Sequence, residues 1–180
     1  MSKDGKDEFY AAYIAIFNLP CRTQKKCSIV TRLMGEEPWS WRVAGISPAA
    51  LESLAKNDYK YVKGVVCRAH IVARIETARA IFEIAKPIAQ DEFFNLFFNN
   101  DQTVITTKSE NKTGGGLPEF IPIGIDLGHF QSTMAAWKHG PSERNYLRDL
   151  HVQYRNGNVA LISPSACRQQ TAVPEILTGA

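Results

Sequence analysis

The stretch Tyr59–Lys86, YKYVKGVVCRAHIVARIETARAIFEIAK, is the longest run in the chain that reads with one period, and it limits the folds open to the rest. Side chains three and four apart share one face of an α-helix. On that spacing Cys67, Ile71, Ile75, Ala78, Phe82 and Ala85 form an apolar stripe, and Val62, Val65, Val66, Ala69, Ala73, Ala80 and Ile84 form a second one roughly opposite. A helix apolar on two sides is held between other elements, because tertiary packing supplies most of its stability. The pattern therefore predicts a central helix over 59–86.

The polar residues of this stretch fall into the two gaps between the stripes. His70, Arg74 and Thr77 follow each other on one side, with Lys63 earlier on the same side; Arg68, Glu76, Arg79, Glu83 and Lys86 occupy the other. The second gap reads as solvated, with intrahelical pairing of Glu76, Arg79 and Glu83. The first has no carboxylate of its own, so a buried His70 and Arg74 require an anion from a ligand or from a protein carboxylate elsewhere. On one helix His70 and Glu76 are about 120° apart and do not meet on a common substrate. His70 with Arg74 is the predicted catalytic pair.

The 180 residues suit one domain, 1–180, with enough chain to bury a core, and the 44% hydrophobic and 22% charged content is that of an ordinary globular protein. A net charge of +3 and a pI near 8.7 permit an anionic partner without requiring one. Cys21, Cys27, Cys67 and Cys167 have no paired C-x-x-C spacing and no nearby histidine, so no metal site is predicted, and the usage suits a reducing cytoplasm. The charged N-terminus MSKDGKDEF lacks the apolar core of a signal peptide, and no apolar run reaches the ~18 residues of a membrane span. A cytoplasmic protein without membrane association is expected.

In chain order, FYAAYIAIF (Phe9–Phe17) leans to helix, and Thr23–Met34 is an amphipathic helix ended by Gly35. Arg22, Lys25, Lys26 and Arg32 make this the most basic part of the chain, and Trp39, Trp41 and Arg42 follow as a patch able to stack on unpaired bases. Ser47-Pro48 is a cap followed by Pro at the first helical position, so ALESLAKN starts a helix. With the central helix it makes a helix-turn-helix-like pair, whose early turns carry Lys60, Lys63 and Arg68 towards phosphates. Pro87 ends the central helix, Ile88–Phe98 forms another rich in phenylalanine, and Asn99-Asn100-Asp101 is a turn.

Further on, TVITT (Thr103–Thr107) is a strand, Lys108–Pro118 with its glycine triplet is a loop, and FIPIGI (Phe120–Ile125) is a strand that Pro122 assigns to an edge. Asp126 and His129 precede a short helix, FQSTMAAWKH, and with His151 they form a reserve set of catalytic groups. Ser142 caps a helix ending near His151. The spacing of Arg144 and His151 is similar to the permissive R-x(4 to 6)-H pattern of HEPN ribonucleases, over that segment alone. HVQYR and NVALI, joined by Asn156-Gly157, are expected to pair as a hairpin through a type I′ turn.

The fold class expected is α+β, with a helical N-terminal two-thirds and a small antiparallel sheet and hairpin near the C-terminus. The function expected first is nucleic-acid binding, DNA above RNA, by a regulator or accessory factor of a prokaryotic or phage system. A small nuclease or hydrolase using His70 and Arg74 is the second expectation. An interaction or inhibitor subunit with a protein partner is the third. No cofactor is specified.

Overall fold

The computed structural model describes residues 3–36, 41–112, 116–124, 130 and 139–170. It is a mixed α+β fold built on a four-stranded sheet of order β2-β3-β1-β4. β1 (Arg42–Ile46) pairs parallel with β3 (Gln102–Thr107) and antiparallel with β4 (Ile121–Pro122), while β2 (Val66–His70) pairs antiparallel with β3. The sheet thus draws on the middle of the chain, not on its C-terminal part. Pro122 sits on the edge strand β4, where its missing N–H leaves no gap in the ladder.

The central helix does not form as one element. Within 59–86, residues 59–65 are turn and irregular chain, β2 follows, and after residues 71–73 comes α4 (Arg74–Phe82). Gly64, with φ +93°, breaks any helix before the strand, and Val65, Val66 and Cys67 then enter an extended chain that β3 pairs residue for residue from Val66↔Thr107 to His70↔Thr103. Short apolar runs satisfy both periods, and long-range pairing decides between them. The N-cap of α4 is Ala73, which makes no side-chain cap, so no residue signals the start.

The Asn156-Gly157 hairpin is also overturned. α7 (Pro141–Arg155) runs through HVQYR, capped by Asn156, and Gly157 at φ +73° donates to Tyr154 O (3.0 Å) while Asn158 N donates to Gln153 O (2.9 Å). These two bonds form a Schellman motif, which needs the same left-handed glycine as a type I′ turn. The helix also starts earlier than Ser142, at Pro141 after Gly140. Ile162 instead bridges antiparallel to Phe120, ahead of α8 (Pro164–Gln170).

Other elements follow the sequence closely. α1 (Lys3–Phe17) and α2 (Thr23–Glu36) take the predicted helices, with Gly35 inside the last turn of α2, and α5 (Gln90–Asn100) takes the phenylalanine-rich one. α3 (Pro48–Ala55) opens as expected: Ser47 Oγ accepts from Ala50 N (3.1 Å) and donates to Glu110 (2.8 Å). Glu110 belongs to α6 (Lys108–Lys112), a short helix where a loop was expected, and its carboxylate also accepts from Thr107 N and Oγ1, both at 2.8 Å.

Two main cores result. Phe9, Tyr13, Phe82, Phe93, Phe94 and Phe97 lead a helical cluster of α1, α2, α4 and α5, in which Tyr13 and Phe93 stack at 4.5 Å. Burial pushes the Tyr13 phenol up to about 12, and its hydroxyl donates to Ile81 O and accepts from Ile88 N, both at 3.2 Å. The other core joins the sheet to α3 and α7 through Ile46, Leu51, Leu54, Ile105, Ile121 and Leu147. Where β1 meets β4 the packing leaves no space: a Cβ on Gly45 would lie 2.1 Å from Phe120 Cδ2 and 2.8 Å from the Ile121 carbonyl. Gly45→Ala is therefore expected to destabilise by about 1–3 kcal/mol, the usual range for overpacking. Thermal unfolding checks this, and an unchanged melting temperature would contradict it.

Candidate functional site

β2 lies at one edge of the sheet, and the chemistry-bearing residues gather where it ends. Its ladder with β3 sets His70 opposite Thr103, and Ile71 N donates to Gln102 O (2.9 Å), which brings the end of β2 beside the α5–β3 junction. Asp101 occupies that junction and is only 3% exposed. Its carboxylate accepts from Arg74 Nε (2.9 Å) and Nη2 (3.4 Å). His70 Nε2 lies 2.9 Å from the same Oδ1, within ion-pair reach but not aligned as a hydrogen bond. The anion that His70 and Arg74 require is thus a protein carboxylate from outside their own segment. Thr77, by contrast, is buried within α4 and does not join them.

Trp41 holds this group together. Its indole N–H donates to Gly35 O (3.0 Å), and its ring lies 4.0 Å from the Arg74 guanidinium, 4.8 Å from that of Arg68 and 5.0 Å from the His70 ring. With 8% of its surface exposed and two guanidiniums over its ring, Trp41 acts as an internal cation–π anchor and offers no open platform for a base. Arg68 does not sit on a solvated helix face. Burial, with the like charge of Arg74 next, pulls its guanidinium down to about 10, which leaves it charged at neutral pH.

Two clefts follow one another along β2. The first, about 270 Å³, is lined by Trp41, Tyr61, Lys63, Cys67, Arg68 and Lys108. Lys63 and Lys108 are exposed, and neither ammonium makes an ion pair among the described residues. They come together because the chain turns at Gly64, whose Cβ position is 3.8 Å from Lys108 Nζ. The second cleft, about 380 Å³, is lined by His70, Ala73, Arg74, Asn111 and Leu117. His70 lines this cleft beside Arg74 and Asn111, while its buried Nε2 lies against Asp101.

The remaining sequence-predicted residues are dispersed. Arg22, Lys25 and Arg32 are exposed on or beside α2, while Lys26 turns inward, donating to Phe17 O with its ammonium over the Phe17 ring. Gly35, at the opposite end of α2, is the part that meets Trp41 and Arg74, so Lys25 is about 15 Å away along the helix. Arg42 lies over the Phe98 ring (5.4 Å), and Lys60 is exposed in the turn after α3, outside both clefts. Trp39, Asp126, His129 and the helix predicted from Phe130 to His139, apart from those two end residues, lie outside the described residues.

His151 serves a different purpose. It is buried between the Tyr59 hydroxyl (2.8 Å at Nδ1) and Glu52 (2.9 Å at Nε2), and Arg155 adds a two-pronged contact to Glu52 (3.0 and 3.1 Å). His151 first, then Arg155, hold the Glu52 carboxyl below its ordinary range. Arg144 points instead to Asp58 (3.8 Å), so Arg144 and His151 do not converge. This cluster fastens α7 to α3 and to the turn at Asp58 and Tyr59, which both have positive φ.

Asp101, Lys108, Tyr61 and Asn111 were not singled out by sequence reasoning. Asp101 carried a faint signal: a buried Arg beside a His needs an anion, from a ligand or from a protein carboxylate. Among the described residues no group of three or more His, Cys, Asp or Glu could hold a metal ion, and no helix is long and apolar enough to cross a membrane. Compared with known proteins, the chain matches no family model, no curated protein and no solved structure.

Proposed function

We propose that this protein binds nucleic acid along the β2 edge, through backbone phosphates. The observation that carries this reading is the first cleft, where Lys63, Arg68 and Lys108 converge beside Tyr61. Exposed lysines are hydrated point charges suited to phosphates, and such contacts carry no base sequence by themselves. Affinity should then fall with salt by about 0.9 log unit per log unit for each phosphate neutralised on a duplex. The charge-reversing pair Lys63→Glu and Lys108→Glu is expected to weaken binding at low salt and to flatten the salt slope by about 2. Binding equal to that of the unaltered protein would sink the assignment.

A second reading, hydrolysis of the bound strand, is favoured by one further observation. His70 lies against a buried carboxylate at Nε2 and lines the second cleft next to Arg74 and Asn111. A histidine beside a carboxylate can serve as a general base once the two align as a hydrogen bond, and a neighbouring guanidinium stabilises charge developing on a phosphate. In this reading Nδ1 takes a proton from water, Asp101 positions the ring, and Arg74 faces the phosphate. Labelled DNA and RNA run on a denaturing gel, with and without Mg²⁺, test it. Cleavage abolished in His70→Ala with binding retained is the expected result; intact products from the unaltered protein remove the hydrolytic reading and leave the binding one.

A further inference from the structure

The basic run on α2 does not belong to the β2 clefts, and its own surroundings point elsewhere. α2 buries Cys27, Val30 and Met34, while Lys25, Ile29, Arg32 and Leu33 are exposed. With Arg22 just ahead of the helix, these residues fall at i, i+3, i+7, i+10 and i+11, which is one continuous stripe. Ile29 and Leu33 are 40% and 39% exposed, and Leu19, 41% exposed, lies in the turn before the helix. Half of the six large hydrophobics exposed among the described residues are therefore in this region. Single exposed aliphatics need no explanation, but Ile29 and Leu33 share a helix face with Arg22, Lys25 and Arg32, and only Glu36 at the end of α2 adds a carboxylate to that stripe.

The stripe begins in a concavity of about 740 Å³ lined by Leu19, Pro20, Cys21, Arg22 and Lys25. No Asp or Glu lies between Cys21 and Gly35, so Arg22 and Lys25 at the start of the stripe have no acidic residue on this run of chain, and Glu36 is the one carboxylate of α2, four residues after Arg32. A phosphate backbone would meet the cations but leave Ile29 and Leu33 against a hydrated surface. A helix with an apolar ridge and acidic flanks satisfies both, and the stripe's length, about 16 Å from Arg22 to Leu33, matches roughly three turns of such a helix.

We propose that the exposed face of α2 docks an acidic amphipathic helix of a protein partner, with Leu19, Ile29 and Leu33 receiving its apolar ridge and Arg22, Lys25 and Arg32 its carboxylates. The assignment is independent of the β2 edge, because the two surfaces use different residues.

The test uses the full chain and a fluorescent synthetic helix with leucines at i, i+4 and i+7 flanked by glutamates. A counterpart with lysine in place of each glutamate serves as control. The glutamate peptide is expected to bind, and the double variant Ile29→Ser with Leu33→Ser, and separately Arg32→Glu, to weaken it by about tenfold each. Both substitutions are on exposed positions, and circular dichroism verifies that each variant is folded. Equal binding of the two peptides, or binding indifferent to these substitutions, overturns the proposal. So does self-association lost in Ile29→Ser with Leu33→Ser, which would make a second copy the occupant. Binding to phosphatidylserine vesicles in place of the peptide would assign the face to lipid. Loss of oligonucleotide binding in Arg32→Glu would return it to nucleic acid.

Discussion

Asp101→Ala is expected to lower the unfolding free energy by about 3–5 kcal/mol, the cost of breaking a buried ion pair by removing one partner. Asp101 is 3% exposed, and the Arg74 side chain that it meets is 12% exposed. Arg74 also opens α4, where the helix dipole disfavours a cation, so the carboxylate offsets two unfavourable terms at once. Denaturant unfolding measures the loss. The double variant Asp101→Ala with Arg74→Met should recover part of it, since neither charge is then left buried. A loss below about 1 kcal/mol, the size of an exposed pair, would show that Asp101 is not the keystone of this site.

Phe93→Ala is expected to cost a similar 3–5 kcal/mol, through the transfer and cavity terms of a large buried ring. Phe93 is fully buried and meets Phe9, Tyr10, Tyr13, Phe94 and Phe97 within 6 Å between ring centroids. It therefore holds α1 against α5, and through Tyr13 against the end of α4. Phe93→Leu, which fills more of the space, should lose less. Equal losses for both variants would mean that ring packing is not what the cluster uses.

Helices with local signals were legible in the sequence. Ser47-Pro48 announces α3 because capping is a contact between near neighbours, and the aromatic spacing of residues 93–98 announces α5. The β-branched run Thr103–Thr107 and the edge position of Pro122 follow from backbone chemistry alone. What was not legible depends on distant partners. Val66–His70 is a strand because β3 lies beside it, although its apolar spacing also fits a helix. Asn156-Gly157 offers a left-handed glycine, which closes a Schellman motif here because Leu147, Leu150 and His151 already commit the preceding chain to a buried helical face.

For the candidate site, the closeness of two side chains was legible, but not the way the chain brings them together. His70 and Arg74 are neighbours, as read, but a strand end and a helix start bring them together instead of a shared helix face. Their need for an anion was evident from burial; that Asp101 supplies it depends on the α5–β3 junction, which no local pattern specifies. Lys108 joins Lys63 only through the turn at Gly64.

The most direct measurement of the central claim is equilibrium binding of labelled single- and double-stranded DNA and RNA to the full chain across a salt series. Binding is expected at low salt and is expected to weaken along a log–log line with a slope of about −2 for duplex DNA, as two phosphates meet the exposed Lys63 and Lys108. Binding to none of these nucleic acids at low salt, or an affinity that salt leaves unchanged, would contradict it.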